Sequence, residues 1–128
     1  MARVNYLVDT DVVVDWLRGR AWARQLILRD DVRLYCSDVT RKELLSKPGL
    51  KTSEYLRILR LMRRIRVLHV DPVIAAAASE LLQRYASQHL RANDALIAAT
   101  AWTKRLPLVT RNRKHYEFVA EIVLAEIL

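Results

Sequence analysis

Glycine is nearly absent: Gly19 and Gly49 are the only two in 128 residues. No glycine-rich loop can cradle a phosphate, so P-loop and dinucleotide-binding readings fail. Cysteine is rarer still. Cys36 stands alone, which excludes disulfide frameworks and cysteine-held zinc. Long apolar runs are missing too. The longest, 73–78 and 95–102, fall far short of the ~20 residues a spanning helix needs. The apolar stretch at 6–8 is broken at once by Asp9 and Asp11, which an export signal does not tolerate. Together these absences predict a cytoplasmic protein with no membrane contact.

What the chain does contain is 52% hydrophobic residues, enough to bury a core, in a length that suits one domain over 1–128. It carries 22 Lys and Arg against 14 Asp and Glu, a formal charge of +8. So basic a domain is expected to meet nucleic acid, an acidic protein or an anionic surface. Its chemistry falls to carboxylates, hydroxyls, amides, histidines and basic groups.

The pattern along the chain predicts alternating strands and helices. Apolar runs at 4–8, 32–36 and 107–110 read as buried strands, with a short one at 67–70 and a last one at 122–128. Thr10 or Asp11 caps a helix that closes at Gly19. Ser37 caps a second helix, and Pro48-Gly49 breaks the chain after it. Thr52 or Ser53 opens a helix whose buried face reads as Tyr55, Ile58, Leu59, Met62 and Ile65. Asp71-Pro72 starts another helix, running to about Gln88. An alanine-rich helix over 93–104 is suited to close packing. This is the order of an α/β domain with a parallel sheet of four to five short strands flanked by helices. In such sheets, sites form beyond the carboxyl ends of the strands.

Acids stand at those ends. Asp9 follows the first strand, Glu43 lies in the helix after the second, and Asp94 lies in a first helical turn. Thr110, Arg111 and Asn112 follow a later strand. Converging carboxylates raise one another's pKa, a cost that a bound cation offsets. Oxygen-only ligands favour magnesium or manganese, which suits hydrolysis of a nucleic-acid phosphodiester. Each acid also has a plainer explanation: Asp11 as a helix cap, Asp94 as a partner for the helix dipole, Glu43 as a solvated helix residue.

Four blocks carry a family resemblance. YLVDTDVVVDWLRG (6–19), SDVTRKELLS (37–46), ANDALIAATA (92–101) and LVTRNRKHYEFV (108–119) resemble, in order, the motifs of PIN-domain ribonucleases. The likeness is strongest to the toxins of VapBC-type toxin–antitoxin systems. It implies a PIN-like α/β fold and a metal-dependent endoribonuclease. Asp9, Glu43 and Asp94 would hold Mg2+, with Mn2+ as a substitute, and Asn112 would complete the catalytic set. Thr10, Asp11, Thr110 and His115 would support them. An antitoxin that blocks the active site, a homodimer and a toxin–antitoxin hetero-oligomer are the implied assemblies. The alternative is a catalytically inactive PIN-like module that binds RNA or protein. One departure stands out: many family members have Asp-Phe where this chain has His115-Tyr116. The fourth carboxylate is replaced.

The positive charge is uneven. Residues 41–70 hold nine basic and two acidic side chains, among them Arg57, Arg60, Arg63 and Arg64 on one helix flank. That flank would meet RNA, an acidic partner or solvent alone. Arg111, Arg113 and Lys114 lie beside the expected site and are read as contacts to the RNA backbone. His69 and His89 receive no role.

Overall fold

The computed structural model describes residues 3–127. Its elements run β1 (Val4–Val8), α1 (Thr10–Leu17), α2 (Ala21–Leu28), β2 (Val32–Ser37), α3 (Asp38–Leu45), α4 (Thr52–Met62), β3 (Arg66–Leu68), α5 (Pro72–Arg84), α6 (Ala92–Lys104) and β4 (Leu108–Val109). Short 3-10 turns follow at Ala86–Gln88 and Arg113–His115. The sheet has the order β3-β2-β1-β4, and every pairing is parallel. All four strands therefore end on one rim. The order reverses between β1 and β4, which is where open α/β sheets build their crevices.

A sheet covered on both faces needs strands that are apolar on both sides. The end of β1 meets that need with Leu7 and Val8, each fully buried and facing opposite clusters. Leu7 and Leu108 pack under α5 and α6. Val8, Val109 and Cys36 pack under α1, α2, α3 and α4. The alanines of α6 (Ala95, Ala98, Ala99 and Ala101) are buried and let α5 lie close against it. Cys36 is free and buried, and burial pushes its thiol up to about 12, which leaves it inert.

Local signals account for most of the boundaries. Ser37 accepts a hydrogen bond from the Val39 N–H and starts α3. Asp71 accepts from the Ile74 N–H, with Pro72 at the first position of α5. Gly19 adopts φ 76°, the left-handed turn that closes α1.

The structure corrects five expectations. Asp9, not Thr10 or Asp11, caps α1 by accepting from the Thr10 N–H at 2.8 Å. Helix α2 is unannounced, because Arg20 precedes it with no side-chain cap. The segment expected as a strand over 122–128 pairs only through an isolated parallel bridge, Leu108 with Leu124; β4 is two residues long and offers no further register, and Leu128 lies outside the described residues. Helix α5 ends at Arg84 rather than near Gln88, where Tyr85 turns the chain into the 3-10 segment. The buried face of α4 is Ile58 and Leu61, continued by Ile65, while Tyr55 is 43% exposed. The angular position of the core sets that face, and Tyr55 falls at its edge.

Candidate active site

The rim at the ends of β1 and β4 opens into a cleft of about 340 Å3. It is lined by Asp9, Asp11, Glu43, Asp94, Asn112 and His115, with Thr10, Arg18 and Arg91 at its edges. Residues predicted from four separate stretches of sequence thus share one cavity. Parallel topology brings Asp9 and Thr110 together: the Asp9 N–H donates to the Val109 carbonyl at 2.9 Å, and Thr110 Oγ1 donates to Asp9 Oδ2 at 2.8 Å. Helix α3, starting at the end of β2, carries Glu43. Helix α6 brings Asp94 in its first turn.

The centre of the site is a group not singled out in the sequence. Tyr116 is fully buried, and its hydroxyl lies 3.2 Å from Asp9 Oδ1 and 3.2 Å from Asp94 Oδ1. Only the His115-Tyr116 replacement of Asp-Phe hinted at it. His115 Nδ1 stands 3.5 Å from Asp94 Oδ2. On the other wall, Thr10 Oγ1 lies 2.9 Å from Thr40 Oγ1 and donates to Glu43 Oε1 at 3.3 Å.

Negative charge is held here at a cost. Burial, then the charge of Asp11, raises the Asp9 pKa to about 6, against the pull of its Thr110, Thr10 and Tyr116 donors. Asp11 is also raised, by burial first, although the N–H groups of Arg111, Asn112 and Val12 work the other way. Asp11 Oδ2 accepts from the Arg111 N–H at 2.9 Å, while its Oδ1 is buried with no partner among the described residues. Glu43 is raised by burial and by Asp94. The Tyr116 hydroxyl is pushed far up by burial and by both carboxylates, so it remains a donor.

This chemistry fits a hard divalent cation. The donors are all oxygen, one buried carboxylate oxygen is orphaned, and Asp9 resists ionisation. Among the described residues no three acids or histidines already stand together as a closed metal cage. Asp9 and Asp94 share one hydroxyl, whereas Glu43 stands across the cleft on α3, beside Thr10.

The basic residues divide. Arg111 is committed to Asp15, at 2.6 Å, and its guanidinium lies over the Trp22 ring. Burial opposes ionisation of Asp15, but the Arg111 and Trp22 hydrogen bonds outweigh it and hold the carboxyl below its ordinary range. Arg113 reaches the Ala125 carbonyl and Glu126. Both arginines therefore brace the protein. Lys114 lines a smaller cavity of about 240 Å3 with Arg91, His89 and Phe118, which shares Asp94 and His115 with the cleft. Among the described residues, Arg18, Arg91 and Lys114 join no ion pair, and all three are exposed.

Comparison with known proteins supplies relatives. The family model described as "PIN domain" matches residues 6–121. Ribonuclease VapC10 of Mycobacterium tuberculosis is 37% identical over 120 residues, spanning 91% of this chain and 89% of that protein. A toxin–antitoxin complex from Klebsiella pneumoniae contains a chain 28% identical, with a TM-score of 0.78, matched over 92% of this chain and 95% of that one. A DNA-bound VapBC from Salmonella typhimurium superposes with a TM-score of 0.87 over 98% of this chain and 99% of its own, at 19% identity, a likeness of fold.

Proposed function

The chain belongs to the PIN-domain family, and from that premise we propose that it is an endoribonuclease, the toxin of a toxin–antitoxin pair, working in the cytoplasm as one catalytic domain over 1–128. The observation that carries this reading is the pairing of Asp9 and Asp94, far apart in sequence, about a single hydroxyl in a cleft that also holds Glu43. The relative named a ribonuclease and the neighbours solved with antitoxins support it.

Asp9 and Asp94 would hold the cation, with Glu43 completing the set, and Mg2+ as the resident ion replaceable by Mn2+. When bound, it supplies Lewis acidity and charge neutralisation at the scissile phosphodiester. Thr110 and the Thr10 N–H orient Asp9, and the Thr10 hydroxyl steadies Glu43. Asn112, an exposed amide at the cleft wall, is placed to donate to a phosphate oxygen. His115, beside Asp94, stands where the family pattern has its fourth acid. RNA phosphates would run past Arg18, Arg91 and Lys114, the cations outside ion pairs at the cleft, while Arg111 and Arg113 are paired with Asp15 and Glu126.

The antitoxin has a fitting entrance. A groove of about 520 Å3 between α1, α3 and α4 shares Thr10, Val14, Arg18 and Glu43 with the catalytic cleft. A segment lying there would shut off the acids while facing the arginine flank of α4. A homodimer and a toxin–antitoxin hetero-oligomer are the proposed assemblies.

The test is direct. Asp94→Asn and Asp9→Asn are expected to lower RNA cleavage by more than about a hundredfold, beyond the loss typical of groups that only support a metal ligand. Circular dichroism should stay unchanged. Growth arrest on expression should vanish in parallel. Parent-level cleavage by either variant, or full cleavage in EDTA, would overturn the site.

A further inference from the structure

We propose that the Tyr116 hydroxyl is a positioning group that yokes Asp9 to Asp94 and holds the two carboxylates at the separation a divalent cation requires. The proposal rests on reading those two acids as the cation's ligands and adds a residue to that reading.

The two acids belong to different elements. Asp9 ends β1, and Asp94 rides on α6. Two carboxylates facing one cleft repel each other, and their side chains turn apart unless something ties the pair. Tyr116 is the tie. Its ring is fully buried among the residues that pack β1 against α5 and α6. Its backbone is fixed as well: the Tyr116 N–H donates to the Arg113 carbonyl at 3.0 Å, and the Val119 N–H donates to the Tyr116 carbonyl at 2.9 Å. The ring therefore projects one hydroxyl, from the core side, to within 3.2 Å of an oxygen on each acid.

One phenolic proton cannot satisfy two carboxylates at once. The hydroxyl fixes the pair's spacing without discharging it. With Asp11 Oδ1 also unpartnered, the site remains short of positive charge and keeps its preference for a cation. The family pattern has phenylalanine at this position, which offers a ring and no hydroxyl. The tie thus goes with the His115-Tyr116 departure from the Asp-Phe that many family members have.

The experiment is calorimetric titration of the intact protein with Mn2+, beside thermal melting of each variant. Tyr116→Phe keeps the ring that fills the core and deletes one oxygen, so folding is not at risk. It is expected to bind Mn2+ about 10–100-fold more weakly, the effect of removing a partner that orients a metal ligand. Val119→Ala loosens the same core without touching either acid and is expected to bind Mn2+ as the parent does. Equal or tighter binding by Tyr116→Phe would show that the hydroxyl is idle or competes with the ion, and either result overturns the proposal. So would an equal loss in Val119→Ala, which would trace the effect to core packing. Asp94→Asn separates the two readings. If it still binds Mn2+ like the parent, the site itself is wrong. If it loses binding while Tyr116→Phe does not, the yoke alone fails.

Discussion

Asp9 carries three duties with one side chain. It caps α1, accepts the Thr110 hydroxyl and faces the cleft, and it does so while 5% exposed. The consequence is a stability that depends on pH. Below about 4, Asp9 is protonated whether the chain is folded or not, and its raised pKa costs nothing. Between about 4 and about 6 the unfolded chain releases its proton while the folded state keeps it, so stability falls, and it levels off once the folded carboxyl ionises too. The rise of the Asp9 carboxyl from its ordinary value to about 6 is worth about 3 kcal/mol. The metal-free parent is therefore expected to lose stability relative to Asp9→Asn between about pH 4 and pH 7, read by urea denaturation. A gap between the two proteins that stays constant over that range would mean that Asp9 ionises normally. Adding Mn2+ at neutral pH should close the gap, since the cation favours the ionised form.

Among the elements, α4 shows how the core overrules a sequence pattern. Its apolar residues repeat at helical spacing, and several choices of face fit that repeat. The structure turns Ile58 and Leu61 inward, leaving Tyr55 and Leu56 exposed and Arg57 donating to the Leu17 carbonyl. Leu61→Ala should cost about 2–5 kcal/mol, as for a fully buried leucine. Tyr55→Ala should stay within about 0.5 kcal/mol, as for a surface change. Thermal melting of the two variants checks the orientation, and the reverse ranking would reinstate Tyr55 as core. Helix α3 is the opposite case. Its Ser37 cap is legible from sequence, and the same cap delivers Glu43 to the cleft.

For the whole molecule, the question is where a charge of +8 acts. Much of the excess lies on and around α4, while among the described residues lining the cleft and its side cavity Arg18, Arg91 and Lys114 are the cations outside ion pairs. RNA affinity should then depend on salt through those few. In an Asp94→Asn background that binds without cutting, replacing Arg91 and Lys114 with alanine should flatten the slope of log affinity against log salt by ~0.7 per lost single-strand phosphate contact. Arg113→Ala should leave the slope alone, since its guanidinium is spent on Glu126 and the Ala125 carbonyl. Fluorescence anisotropy with a short RNA reads both. A slope changed by Arg113→Ala and not by the double variant would move the RNA track to the other side of the turn at 113–115.

The sequence alone determined the features that short-range chemistry controls. The caps at Ser37 and Asp71-Pro72, the buried run of β1, the small residues of α6 and the acids at strand ends are all legible because each depends on a few adjacent residues. From these, the parallel α/β fold and the sharing of one rim by Asp9, Glu43 and Asp94 follow. Tertiary structure decided the rest. It committed Arg111 to Asp15 and brought the Tyr116 hydroxyl between two acids. It also reduced the last expected strand to one bridge. Those outcomes depend on contacts between residues distant in sequence, and no local pattern encodes which distant partner a buried ring or a guanidinium will meet. Packing against the sheet makes that choice.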